Sequence, residues 1–203
     1  MQITLTNTGK RFNREWIFRG VNYEFKAPKK YAITGSNGSG KSTLLQVIAG
    51  SLTFSEGSVG FANDQRPTIN DQQFQHISIA APYLELIEEM TANEMLGFHT
   101  QFKPLTISKA EALQIVNLTK AADRQIRYFS SGMKQRLKLA QAFFSNTPIL
   151  LLDEPTTNLD AEGTALYLQL IKDHTANKLV IISSNDKQEY DFCDEVIAIG
   201  DYK

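Results

Sequence analysis

Gly35-Ser36-Asn37-Gly38-Ser39-Gly40-Lys41-Ser42-Thr43 is the stretch on which the fold turns. It matches G-x-x-x-x-G-K-[ST], a loop that wraps phosphate groups. Gly35, Gly38 and Gly40 lack a Cβ, so the backbone can turn tightly and converge its N–H groups on phosphate oxygens. Lys41 brings a cation to the β- and γ-phosphates, and the Ser42 hydroxyl is suited to ligate Mg2+. Upstream, Lys30-Tyr31-Ala32-Ile33-Thr34 reads as a short buried strand. Downstream, Ser42 to Ala49 reads as a helix stopped by Gly50. That helix turns its partial positive charge toward the phosphates. A Gly/Ser turn that binds nothing would need neither flank. The whole stretch predicts binding of a nucleoside triphosphate.

The composition agrees with one soluble domain. The chain has 203 residues, 42% hydrophobic and 21% charged, enough for one good core with room for an inserted lobe. Lys plus Arg number 21 against 22 Asp plus Glu, a net charge of −1 that offers no global attraction to nucleic acid. Cys193 is the only cysteine, so no intrachain disulfide is expected. The first residues, Met1 to Thr6, lack the basic start and apolar run of a signal peptide, and Ile149 to Leu152 is far too short to span a membrane. The expected location is cytoplasmic.

Residues 2–7 and 21–27 read as strands, with Lys10 to Trp16 between them. Ser58 to Ala62 is a further strand, Asn63 to Asp71 a polar loop, and His76 to Ala81 a strand broken by Pro82. From Tyr83 to about Gln141 the pattern turns helical, with capping-box spacing at Thr91-Ala92-Asn93-Glu94 and Ser108-Lys109-Ala110-Glu111. After Pro148 it returns to strand (149–152), helix (161–174), strand (179–183), with a last strand over 196–199. Strands alternating with helices imply a mostly parallel sheet, so the middle reads as a helical lobe set into an α/β core.

Pro148-Ile149-Leu150-Leu151-Leu152-Asp153-Glu154 is the second chemical signal. Four apolar residues make a strand buried on both faces, and its C-terminal end, where open α/β sheets place ligands, presents two carboxylates. Asp153 is the expected holder of magnesium, and Glu154 the group that polarises the attacking water. Alone, such a strand end would pass for a solvated acidic loop. Following a phosphate loop, it reads as catalytic.

Tyr128-Phe129-Ser130-Ser131-Gly132-Met133-Lys134-Gln135-Arg136 then precedes an amphipathic helix with Met133, Leu137, Ala140 and Phe144 along one face. Together with the two earlier motifs, it makes nearly the whole chain resemble an ATP-binding-cassette (ABC) transporter ATPase. Phe129 to Met133 is similar to that family's LSGGQ signature, keeping Ser130 and Gly132 but with Phe for Leu, Ser131 for the first Gly and Met133 for Gln. In the family this segment faces ATP held by a second subunit. Thr156-Thr157-Asn158-Leu159-Asp160 resembles the D-loop, with Asp160 at its acidic position. Phe12 suits the aromatic that stacks on adenine, with Trp16 as a second candidate and a core role open for either ring.

Two departures stand out. Where the family usually places a Gln after the strand ending near Ala81, this chain has Pro82, with Glu85 or Tyr83 as substitutes. Where the family has its switch histidine, after Val180 to Ser184, this chain has Asn185. An Asn amide can donate to the γ-phosphate but cannot be protonated, so its bond is roughly half as strong as a charge-assisted one. His76, His99 and His174 fall elsewhere and read as structural or surface residues.

The resemblance implies an α/β fold of the P-loop NTPase, ABC type. The expected parts are a mostly parallel core (1–82 and 142–203), an N-terminal antiparallel β portion and an inserted helical subdomain (83–141). The implied function is an ATP-binding and slowly ATP-hydrolysing subunit that uses ATP and Mg2+. It would dimerise head to tail with a second ABC ATPase subunit and drive a separately encoded membrane subunit, which would hold it at the membrane's inner face. No nucleic-acid partner is expected. Expected catalytic residues are Glu154, Lys41 and Asn185, and expected metal ligands are Ser42 and Asp153. Nucleotide contacts are expected from Phe12, Gly35 through Thr43, and Ser130, Gly132 and Asp160. Three alternatives stay open: an ATP-binding cassette that closes without useful turnover, a soluble non-transport ABC ATPase, and a nucleotide kinase that would leave Phe129 to Arg136 unexplained.

Overall fold

A computed structural model of the chain describes residues 1–63, 66, 67 and 73–203. The described chain opens with two long strands, β1 (Gln2–Phe12) and β2 (Glu15–Lys26), followed by β3 (Lys30–Thr34) and α1 (Lys41–Ala49). Next come β4 (Glu56–Asn63), the two-residue β5 (Arg66–Pro67) and β6 (Ile77–Ala80). The helices α2 (Ala92–Thr100), α3 (Lys109–Ile115) and α4 (Ser131–Phe144) fill the middle. The chain then runs through β7 (Ile149–Asp153), α5 (Ala161–His174), β8 (Leu179–Ser183) and β9 (Glu195–Ala198).

Two sheets result. The antiparallel one has the order β2-β1-β4-β5, and the parallel one the order β6-β7-β8-β3-β9. The fold is thus the expected α/β arrangement with an N-terminal antiparallel portion. Side chains of the parallel strands alternate between two cores, as the two-residue period of a strand requires. Leu150, Leu152, Val180 and Ile182 join α4, α5 and the helical middle on one face. Ile149, Leu151, Leu179 and Ile181 join α1, β1 and β2 on the other.

The sequence reading needs three corrections. The first two strands extend to a two-residue turn at Asn13-Arg14, pairing Arg11 with Trp16 and Phe12 with Glu15. Their alternation is masked by charged residues, but the Arg11 guanidinium lies 5.5 Å from the Trp16 ring centre and Lys10 Nζ 4.9 Å from that of Phe12. Of these cation–π contacts, Arg11 to Trp16 crosses between the strands and ties their ends together. Residues 83–90 are not helical: turns close at Leu84 N to Ala81 O and Met90 N to Ile87 O, and the Glu88 and Met90 carbonyls accept from Arg127 N and Ile126 N. Helix α4 reaches Phe144, as its apolar face predicts, whereas the last strand runs Glu195–Ala198, one residue earlier than expected. The polar loop expected over 63–71 lies largely outside the described residues; within it, Arg66–Pro67 pairs with the end of β4.

Both expected N-terminal caps of the middle helices form. Thr91 accepts from Glu94 N while the Glu94 carboxylate accepts from Thr91 N, and Ser108 accepts from Glu111 N. The antiparallel sheet has a tight backbone approach at Gly57. Its φ is +76°, and a Cβ there would lie 2.1 Å from Asn7 O. Gly57→Ala is expected to lower stability by about 2 kcal/mol or more through backbone strain and this clash. A fall in the urea midpoint at unchanged slope would register it; an unchanged midpoint would refute it.

Candidate functional site

Strands β7, β8 and β3 are parallel neighbours, so their C-terminal ends lie side by side. The segments that leave these ends carry Asp153-Glu154, Ser184-Asn185 and the 35–43 loop. The loop is kept open by its glycines. Gly40 has φ +106°, and a Cβ on it would come within 2.5 Å of Ile17 Cγ2, so only glycine lets β2 approach the loop so closely. Helix α1 starts immediately after Gly40 with no side chain capping it, which leaves its first N–H groups for a ligand. A cavity of about 380 Å³ opens there, lined by Ile17, Asn37 through Thr43, and Glu154.

Lys41 is only 4% exposed. Its ammonium donates to Gly35 O at 2.9 Å and Ser36 O at 3.3 Å and forms no ion pair among the described residues. Neutral carbonyls solvate the cation without cancelling its charge, so it keeps its attraction for an anion. Ser39 Oγ, also in the loop, is buried without a hydrogen-bond partner.

Asp153 is 1% exposed, and its Oδ1 has no partner of ordinary geometry. Burial pushes its carboxyl above the usual carboxylate range; the Ser42 and Ser183 hydroxyls pull it back, Glu154 adds repulsion and Lys41 a weaker attraction. A buried, unpaired carboxylate oxygen beside the Ser42 hydroxyl suits a hard cation with oxygen ligands, so the donor set fits Mg2+. Glu154 follows in a left-handed conformation, φ 43°, that non-glycine residues rarely adopt. Its N–H donates to Ser183 O at 2.8 Å, tying the strained residue to β8. Such strain concentrates at functional positions.

Asn185 sits exposed at the end of β8 and donates from Nδ2 to Oδ1 of Asn37 at 2.9 Å, so it touches the phosphate loop directly. Of the two substitutes considered for the family's Gln, Tyr83 lies within electrostatic reach of Asp153. Its hydroxyl is pushed up to about 12, first by burial and then by the charge of Asp153, with a hydrogen bond to Gln46 on α1 pulling the other way. Glu85 instead faces Lys138, whose ammonium donates to Ala81 O and Pro82 O.

Six expected nucleotide contacts do not line the cavity: Gly35 and Ser36 at the start of the loop, and Phe12, Ser130, Gly132 and Asp160. Phe12 is 47% exposed at the tip of the β1–β2 hairpin, and Trp16 lies half-buried beside it. Ser130 caps α4 by accepting from Met133 N, with Ser130 exposed and Gly132 half-buried. Asp160 caps α5 by accepting from Gly163 N at 2.8 Å. Gly132 lies so near the segment before Asp160 that a Cβ would approach Asn158 O to 3.0 Å. Ile17 went unread in the sequence, since an apolar residue on a strand carries no chemical signal. Glu189, buried and bonded to Thr156, went unread for a similar reason: a lone Glu in a polar turn looks solvated.

A family model described as ABC transporter matches residues 18–157. The cytochrome c biogenesis ATP-binding export protein CcmA of Rhizobium etli is 32% identical over 193 residues, covering 91% of this chain and 87% of its own. The putative hemin import ATP-binding protein HrtA of Staphylococcus aureus is 28% identical over 212 residues, covering 97% and 94%. Among solved structures, the dimeric bacterial ABC transporter cassette MJ0796 superposes with a TM-score of 0.82 at 26% identity, over 98% of this chain and 95% of that one. A putative ABC transporter ATP-binding protein from Pyrococcus furiosus has a TM-score of 0.83 at 18% identity over the full length of both chains, which speaks to the fold alone.

Removing the Lys41 ammonium should weaken nucleotide binding itself. Lys41→Ala is expected to lower affinity for ATP by about ten- to a hundred-fold, the worth of one charged hydrogen-bonding group. Titration with a fluorescent ATP analogue tests this, and an unchanged dissociation constant would contradict it.

Proposed function

The chain belongs to the ABC transporter family of ATP-binding proteins, and from that premise we propose that it drives a separately encoded membrane subunit by binding and hydrolysing ATP. The observation that carries the reading is Glu154. It lines the same cavity as the phosphate loop, follows a buried carboxylate, and is held in a strained backbone conformation. No helix among the described residues is long and apolar enough to cross a membrane, so transport would need a partner.

The first N–H groups of α1 and the loop amides grip the β- and γ-phosphates, and Lys41 supplies the fixed cation. Ser42 and Asp153 would hold Mg2+, which neutralises charge on the phosphate oxygens when bound. The Glu154 carboxylate orients a water in line with the γ-phosphorus and accepts its proton as the water attacks. Asn185 donates a neutral hydrogen bond to a γ-phosphate oxygen, exchanging its present partner Asn37 for the ligand. Without a protonatable imidazole the developing charge gains less, so turnover is slow.

Ser130 and Gly132 act in trans. Both lie at the start of α4 outside the chain's own cavity, a placement that suits a cap over the nucleotide of a second copy. Two copies related by a two-fold axis would bury two nucleotides, and hydrolysis would reopen the pair. Phe12, exposed at its hairpin tip, is the reading's adenine-stacking ring. The membrane subunit would dock on the segment after Pro82 and the helices beside it, where Tyr83, Leu84, Ile87, Phe98 and Phe102 are exposed.

A second reading rests on one contact. The Asn185–Asn37 bond is neutral on both sides, so the chain would bind ATP and close without useful turnover, paired with a more active cassette.

Two variants separate these readings. Glu154→Gln should abolish steady-state hydrolysis, leave ATP affinity unchanged, and lengthen the life of an ATP-bound dimer seen by light scattering. Equal loss of binding and turnover would make Glu154 structural. Asn185→His should raise turnover several-fold under the first reading, whereas dimerisation without hydrolysis in either form would favour the second.

A further inference from the structure

The segment from Glu154 to Asp160 is held at three points by groups from three different elements. Glu154 N donates to Ser183 O of β8 at 2.8 Å. Gln135 Nε2, buried in α4, donates to Pro155 O at 2.7 Å. Thr156 N donates to Glu189 Oε1 at 2.7 Å, and the Thr156 hydroxyl donates to the same oxygen. The first two anchors are a backbone oxygen and a neutral amide. The third is a carboxylate, and its burial needs a physical account.

Glu189 is 3% exposed and forms no ion pair among the described residues. Burial pushes its carboxyl above the usual range, while the Ser184 hydroxyl and both Thr156 donors pull it down; Asp186 adds repulsion. A buried carboxylate without a cation is costly, and an apolar side chain would fill the space beside Tyr167 more cheaply. Its oxygen does one specific thing: it satisfies both donors of Thr156, two residues after Glu154.

Glu189 also ends a compact turn. Asp186 N donates to Ser184 Oγ, Gln188 N to Asp186 Oδ1, Glu189 N to Asp186 O, and Tyr167 OH to Glu189 O. The same turn carries Asn185, which reaches Asn37 of the phosphate loop. One rigid turn therefore touches the phosphate loop at one end and the Glu154 segment at the other.

We propose that Glu189 is a positioning residue for ATP hydrolysis. It clamps the Pro155-Thr156 peptide, and through it sets where the Glu154 carboxylate stands relative to the γ-phosphate that Asn185 meets. The proposal rests on the reading of Glu154 as the group that activates water.

The test uses the full chain with Mg2+ and ATP. Glu189→Ala removes the acceptor, Glu189→Gln keeps a side-chain oxygen, and Thr156→Val removes only the hydroxyl donor. A misplaced general base should lower kcat about ten- to a hundred-fold in Glu189→Ala while the dissociation constant for ATP changes less than about two-fold. Glu189→Gln should restore most of the rate. Thr156→Val should cost several-fold in kcat alone, which keeps the idea testable if Glu189→Ala does not fold. Loss of kcat and ATP affinity in proportion, or no rescue by Gln, would reduce Glu189 to a fold-stabilising group and overturn the proposal. Wild-type kcat in Glu189→Ala or in Thr156→Val would also overturn it. Glu154→Gln run alongside separates the premises: if it hydrolyses ATP normally, the reading of Glu154 fails first, and if it is inactive while the Glu189 variants are not, only the clamp fails.

Discussion

Parallel pairing of β7, β8 and β3 is the constraint from which the site follows. In a parallel sheet every strand ends at the same edge, so residues far apart in sequence arrive together there. Asp153 pairs with Ser183, and Ser183 with Ile33, which sets the three strand ends level across the edge. Ser184 N donates to Ile33 O and Glu154 N to Ser183 O, carrying the pairing one residue beyond each strand end. An antiparallel order would place alternate ends on opposite edges, and the phosphate loop would never meet its carboxylates.

The electrostatics at that edge are left incomplete in a way that selects a ligand. Among the described residues Lys41 has carbonyls but no ion-pair partner, and Asp153 has hydroxyl neighbours, only a weak attraction from Lys41 and an oxygen without a hydrogen-bond partner. Pairing the two directly would have stabilised the free protein and raised the cost of admitting a phosphate. A magnesium-bound polyphosphate brings both missing charges at once. Selectivity comes from what the folded chain declines to satisfy internally.

The parts legible in the sequence were those whose chemistry depends on spacing. The phosphate loop needs glycines at fixed intervals, and β7 needs an unbroken apolar run, so both could be read residue by residue. Helix α5 and strand β8 fell on their predicted bounds, because Asp160 caps the first and five buried residues make up the second. The hairpin tip was harder to read, since cation–π contacts between Lys10, Arg11, Phe12 and Trp16 replace apolar alternation. The non-helical run 83–90 was misread because its charge and apolar content resemble a helix, and the turns that close at Leu84 and Met90 exist only in the folded chain. The buried Glu189 and the cavity-lining Ile17 carry no local signature, for their roles exist only after strands distant in sequence are brought together.

On the proposed reading, binding and turnover use separable parts of this edge, which would let the chain depart from its family at Pro82 and Asn185. The grip on phosphate comes from backbone amides, the start of α1 and Lys41, none of which needs the side chain of residue 82 or 185. Groups that act mainly on the transition state can change without loosening the ground-state complex. On that reading Asn185 would keep a donor at the γ-phosphate while giving up a protonatable ring. Tyr83, within the field of Asp153, would on the proposed reading put a neutral donor and acceptor near where Pro82 offers nothing. Of the two changes, only that at Asn185 lowers the charge the site can bring to bear as the phosphoryl group leaves, because the family's Gln is itself neutral. Both leave the phosphate loop untouched. The rate of the cycle is thereby free to be set apart from the affinity that starts it.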